Sequence, residues 1–132
     1  MMRASGILLP ISSIPSNYGI GCFSKEAYAF VDQLAEAGQK YWQILPLGPT
    51  GYGDSPYQSS TFAGNPYFID LEELIQRDLL TAAECAECDW GGSKSYVDYE
   101  KVYLSRFSLL RKAYRRFYQM DGKEKELQLI RE

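Results

Sequence analysis

An α/β fold is predicted, and three observations predict it. An amphipathic helix is signalled at about Ser24–Ala37, a short β-favouring run follows at Lys40–Leu45, and the chain from Asp70 onward reads as helix. A helix that passes through glycine into a brief apolar strand is the αβ half of an α/β unit.

Each element has its own local reasons. Ser24 is a good N-cap, Glu26 lies in the first turn and Gly38 follows as the stop. Between them Tyr28, Val31, Leu34 and Ala35, with Phe30 beside them, recur at helical spacing and predict the buried stripe. The run KYWQIL is β-branched and aromatic enough for a strand, and Pro46 closes it. About twenty residues from Pro46 to Pro66 then show neither period, and a loop of that length is usually functional. Asp70 with Glu73, and Thr81 with Glu84, have capping-box spacing. The longest helix is expected from about Asp98 to Met120. Its expected buried face is Tyr103, Phe107, Leu110, Tyr114 and Phe117. Arg106, Arg111, Lys112, Arg115 and Arg116 crowd its other sides, which reads as a solvated face in preference to a phosphate site. The terminal GKEKELQLIRE starts a further apolar pattern with Leu127, Leu129 and Ile130.

The two halves differ in kind. All six prolines precede residue 67, whereas that stretch holds only three basic and four acidic residues against eleven and thirteen in the rest. The first half is therefore turn-rich and aromatic, the second charged and helical. A length of 132 residues suits one ordinary domain. The formal charge of −3 lacks the basic footprint of a nucleic-acid binder. No run of about 18 apolar residues is present to span a membrane, and the first fifteen residues lack a signal-peptide pattern.

The chain has no histidine, which removes Ser-His-Asp catalysis and His-ligated metals from the residues present. Cys22, Cys85 and Cys88 are an odd number and read as free cytosolic thiols. The lone C-x-x-C of Cys85 and Cys88 sits in ECAEC, where acidic neighbours raise thiol pKa, so a structural role is expected over a redox or zinc site. No metal and no cofactor is expected.

The Pro46–Pro66 loop collects Tyr52, Tyr57 and Phe62 beside Asp54, Ser55, Gln58 and Asn65. Aromatic rings match the C–H faces of sugars, and planar amides and carboxylates match pairs of vicinal hydroxyls. Glycines on both sides of Tyr52 permit a tight turn that pushes the ring outward. Asp54 has no second acid before Asp70, so the paired-carboxylate arrangement of a glycosidase is missing from the loop. It is expected to orient the loop or a sugar hydroxyl.

Four stretches carry a resemblance to a known family: RASGILLPISSIPSNYGIG, EAGQKYWQILPLGPTGYGDSPYQS, FAGNPYFIDL and VDYEKVY. In that order, and reaching from Arg3 to about Tyr114, they resemble the amino-terminal part of 4-α-glucanotransferases, the amylomaltase or disproportionating-enzyme family, glycoside hydrolase family 77. The resemblance implies an α/β fold, the amino-terminal part of a (β/α)8 barrel with an inserted subdomain. KYWQIL would be its first strand, residues 46–66 the cleft loop and residues 70–120 a mainly helical insertion. It also implies a cytoplasmic enzyme that moves segments of 1,4-α-D-glucan between maltooligosaccharides by a retaining mechanism, without nucleic-acid or membrane partners. By the family pattern Tyr57 offers a ring to a bound glucose and Ser55 hydrogen-bonds it, with Asp54 and Gln58 shaping the rim. Tyr52 and Tyr103 match positions suited to an accessory glucan site, which conflicts with the buried place that periodicity gives Tyr103.

Family members are several times longer, and their nucleophilic aspartate, acid glutamate and assisting carboxylate belong to motifs absent here. No catalytic residue is therefore expected in this chain, and it reads as an inactive, weakly stable front portion of such an enzyme. The alternative is a free-standing glucan-binding or interaction module. Two departures are visible: Pro10 stands where many members have histidine, and SSTFAGNP is one residue shorter than SFSxFAGNP, which alters the loop near Ser60.

Overall fold

The computed structural model describes residues 3–51, 53–58 and 63–120. Its first element is a strand that sequence reading missed, β1 at Gly6–Leu8. Helix α1 spans Lys25–Glu36 and leads to β2 at Tyr41–Gln43. The two strands pair in parallel, with Gly6 opposite Tyr41, Ile7 opposite Trp42 and Leu8 opposite Gln43. Parallel pairing requires a crossover, and α1 supplies it, so residues 6–43 form a βαβ unit. The expected strand at 40–45 thus exists but is second in the chain, not first. Gly6–Leu8 gave no signal because three residues followed so soon by Pro10 are too short for a period. Pro10 itself, at φ −61°, starts a 3-10 turn over Ile11–Ser13.

Ser24 occupies the N-cap position of α1, but its hydroxyl donates to the Glu26 carboxylate at 2.6 Å and caps no backbone N–H. At the other end Gly38 takes φ +70° and donates to the Ala35 carbonyl, the left-handed stop predicted for it. The expected buried stripe needs correction. Tyr28 is 71% exposed and Val31 47%, while Ala27 is buried. Phe30 instead meets Trp42 edge-on at 5.0 Å, and the Trp42 indole donates to the Leu9 carbonyl at 2.8 Å. A two-stranded sheet is too narrow to cover the whole apolar stripe.

Three helices follow: α2 at Leu71–Gln76, α3 at Ala82–Ala86 and α4 at Tyr99–Gln119. Thr81 and Glu84 form the full reciprocal capping box of α3. Asp70 caps α2 through the Glu72 N–H, whereas Glu73 pairs with Arg77, so the second predicted box is only half made. Leu71, Leu79, Leu80, Cys85, Leu109 and Ala113 form the core among these helices.

The buried face of α4 is displaced from the predicted one. Val102, Arg106, Leu109 and Ala113 are buried, while Tyr103 and Tyr114 are exposed at 49% and 62%. Arg106, placed by sequence on a solvated face, is fully enclosed; its guanidinium donates to the carbonyls of Ile69 and Pro66. Arg116 also leaves the solvated set, pairing twice with Glu84 at 2.7 Å. The reason is common to both: each cation has a fixed acceptor across the helix packing, which periodicity counts only as polarity.

Candidate functional site

Because β1 and β2 run in parallel, the segments that leave their carboxyl ends emerge on the same side. That is the side on which α/β folds assemble their sites. Residues after β1 run from Leu9 to Ser24, and residues after β2 form the long loop.

The loop is closed at its neck. The Asn65 backbone N–H donates to the Leu47 carbonyl at 3.1 Å, and its side-chain amide donates to the Gly48 carbonyl at 3.2 Å. The Asn65 side-chain oxygen accepts from the Tyr67 N–H at 2.9 Å and starts the 3-10 turn Pro66–Phe68. One buried amide therefore ties both ends of the loop and the next element together.

At the tip the Asp54 N–H donates to the Gly51 carbonyl, closing a tight turn. Gly53 at φ +91° and Asp54 at φ +52° both lie in the left-handed region, which glycine and aspartate tolerate best. The Thr50 hydroxyl donates to the Asp54 carboxylate at 3.3 Å. The partner of the Asp54 carboxylate is thus a hydroxyl of the same loop and not a backbone N–H. Tyr52 and Phe62, along with Ser60 in the shortened stretch, lie outside the described residues.

Asp54 borders two cavities. One of about 140 Å³ is lined by Pro10, Ile11, Leu47, Asn65, Tyr67 and Tyr99 among others. The second, about 620 Å³ and more open, adds Glu100, Tyr103 and Phe107. Tyr67 meets Tyr99 at 6.1 Å and Phe107 at 5.8 Å, both edge-on. Burial, reinforced by the charge of Asp54, pushes the Tyr67 phenol up to about 12 and raises Tyr99 likewise. Both stay protonated hydrogen-bond donors at neutral pH.

Sequence reading did not bring Tyr67, Tyr99 and Glu100 to this place. Their only signal was the FAGNPYFIDL and VDYEKVY stretches, in which they stand 13 or more residues beyond Asp54. Tyr103, with its ring 4.7 Å from that of Phe107, faces the same cavity as Asp54 and is not the buried residue that periodicity predicted. Tyr57 is on the 3-10 turn Pro56–Gln58 with 72% of its surface exposed. Ser55, Tyr57 and Gln58 line neither of the two cavities and follow Asp54 directly in the chain.

The cysteines stand apart from this site. Cys22 and Cys85 are buried and Cys88 is half-buried, all three reduced. Burial is the main cause that raises each thiol pKa, with acidic neighbours adding to it at Cys85 and Cys88. Among the described residues no group of three or more Cys, Asp or Glu side chains is arranged to hold a metal ion. No helix among them is long and apolar enough to cross a membrane.

Residues 9–131 match the family model described as 4-alpha-glucanotransferase, glycoside hydrolase family 77. The chain is 55% identical over 119 residues to a 4-alpha-glucanotransferase of Streptococcus pneumoniae, covering 89% of this chain and 24% of that protein. It is 49% identical over 116 residues to a 4-alpha-glucanotransferase of Thermus thermophilus, covering 87% of this chain and 22% of that one. A solved amylomaltase from Streptococcus agalactiae, in complex with acarbose, superposes with a TM-score of 0.90 at 41% identity, over 98% of this chain and 26% of that one. The chain thus spans about a quarter of the length of these relatives. With that likeness the β1–α1–β2 unit is assigned to the amino-terminal part of a (β/α)8 barrel carrying an inserted subdomain.

Proposed function

Because the chain belongs to the 4-alpha-glucanotransferase family, we propose that it serves the transfer of a 1,4-α-D-glucan segment to the 4-position of an acceptor glucose or glucan. In this reading residues 1–132 are the amino-terminal portion of the catalytic barrel. The stretch at 40–45 contributes a barrel strand, residues 46–66 the cleft loop and residues 70–120 the mainly helical insertion. The ligands are maltooligosaccharides and other α-1,4-glucans, and the setting is the cytoplasm.

One observation carries the proposal. Asn65 holds the neck of a loop at the carboxyl end of β2, and that loop presents an exposed Tyr57 ring beside Ser55, Asp54 and Gln58. A phenol ring in water with a carboxylate, an amide and a hydroxyl alongside suits one glucose face and its hydroxyl rim. Acarbose in the similar amylomaltase structure supports a carbohydrate ligand. Tyr103, accessible across the cavity from Asp54, remains suited to an accessory glucan contact with Tyr52.

The residues of this chain bind and orient; bond breaking needs a nucleophilic and an acid carboxylate set about 5 Å apart. The loop supplies Asp54 alone, so the transfer chemistry is assigned to carboxylates of family motifs not found here. Electrophoresis of the chain through a native gel containing amylose tests the assignment. Retarded migration that is lost in Tyr57→Ala is expected. Unretarded migration of the unmodified chain would overturn it, and glucose release from maltotriose by this chain alone would overturn the assignment of chemistry elsewhere.

A further inference from the structure

The segment after β1 and the segment before α4 enclose a groove of about 850 Å³, which the loop residues already discussed do not explain. Its volume lies in the range of small-molecule sites. We propose that this groove holds glucose units of a longer α-1,4-glucan remote from Tyr57, so that it sets a preference for chain length. The proposal rests on the glucan reading of the loop and deepens it.

Three observations carry it. The first is continuity. Tyr99 lines the groove and both cavities beside Asp54, while Ser12 and Ile20 line the groove and the smaller of the two. The groove and the two cavities therefore adjoin at Tyr99, so a chain bound at Asp54 lies next to the groove.

The second is construction. The groove walls are held together at their base by close backbone approach. A Cβ on Gly19 would come within 2.7 Å of both the Trp90 carbonyl oxygen and a Val102 methyl group, and Gly19 takes φ +75°. One on Gly21 would collide with the Ile11 carbonyl oxygen. The Trp90 ring lies edge-on to Tyr18 at 5.5 Å, and its indole N–H donates to the Cys85 carbonyl at 2.8 Å. The walls cannot separate without breaking these contacts, so the shape is preformed.

The third is chemistry. Ser13, Ser16 and Asn17 line one wall and Ser93 and Ser95 the other, with Tyr96 at the rim, 68% exposed. The two charged groups are opposite in sign, Glu26 and Lys94. Hydroxyls and amides with an accessible ring and no excess positive charge suit an uncharged polyol and not a phosphate or nucleotide.

Calorimetric titration of the 132-residue chain with maltotriose and with maltoheptaose tests the assignment. Preference for maltoheptaose by about tenfold is expected, of the size one aromatic contact supports. Tyr96→Ala, at an exposed position, is expected to remove that preference and leave maltotriose affinity unchanged. Gly92→Leu gives a second reading, because Gly92 lines the groove and a Cβ there meets no neighbour, so added bulk is tolerated by the fold; it too is expected to abolish the preference. Tyr57→Ala is expected to weaken both ligands alike. A length preference that survives both groove variants overturns the groove assignment and leaves the loop reading standing. Absence of binding by either ligand overturns both.

Discussion

The side-chain amide of Asn65 donates to the carbonyl of Gly48, joining residues 17 apart and shutting the neck of the long loop. Asn65 is 7% exposed and makes three further bonds, to Leu47, Tyr67 and Phe68. Asn65→Ala leaves two backbone groups without that partner, a loss of about 1–3 kcal/mol. Urea unfolding followed by circular dichroism is expected to show a lower midpoint and an unfolding free energy reduced by that amount, and amylose retardation is expected to weaken with it. An unchanged midpoint would show that the neck is held by other contacts.

Arg106 crosses from α4 to the turn that follows the loop. Its guanidinium is fully buried, with Nη2 on the Ile69 carbonyl and Nε toward the Pro66 carbonyl. Among the described residues Nη1 has no oxygen or nitrogen hydrogen-bond partner, and burial lowers the arginine pKa against the opposing pull of Cys22 and Asp70 nearby. Lysine at this position keeps a buried charge but loses the planar fork that reaches two carbonyls. Arg106→Lys is expected to destabilise the chain by about 2–4 kcal/mol, measured by urea unfolding. Equal stability would mean that the fork contributes nothing beyond its charge.

How far these relationships were legible depends on their range in sequence. The capping box of Thr81 and Glu84 needs two residues three apart, and it could be read directly. The Gly38 stop is equally local. Arg106 could not be read, because periodicity treats every arginine as an outward residue and cannot see the Ile69 carbonyl 37 residues away. The same limit shifted the centre of the buried face of α4 to Val102, Leu109 and Ala113, leaving Phe107, Leu110 and Phe117 half-buried against the core and Tyr103 and Tyr114 exposed. At the site, Asp54 and Tyr57 were visible as neighbours in one stretch. The gathering of Tyr67 and Tyr99 around Asp54 depends on tertiary packing, and only the family stretches hinted at it.

Glu84 accepts from Arg116 and Lys112 as well as capping α3, and these bonds hold its carboxyl well below the usual carboxylate range. A lowered folded pKa stabilises the fold above the unfolded value of about 4.3, and the contribution is lost as pH falls below it. Denaturant midpoints of the unmodified chain are expected to drop below about pH 4. Glu84→Gln is expected to be less stable at neutral pH and to show a shallower acid decline. Parallel acid profiles would place the acid sensitivity on other carboxylates.

Thiol accessibility follows burial. Cys88 is expected to react first with a colorimetric disulfide reagent under native conditions, and Cys22 and Cys85 only as the chain unfolds. The raised pKa of all three slows the reaction generally, since the thiolate is the reacting form, and leaves burial to set the order. Three equally fast thiols would contradict the packing of Cys22 and Cys85.

We propose that the loop between β2 and Pro66 is a glucan-binding rim with Tyr57 at its front. Nuclear magnetic resonance of the chain, with its tyrosine rings isotopically labelled, measures this most directly during titration with maltoheptaose. Saturable shifts are expected, largest at the Tyr57 ring and extending to Tyr99, with Tyr41 and Tyr114 unmoved. Shifts absent from Tyr57, or equal across all exposed tyrosines, would contradict it.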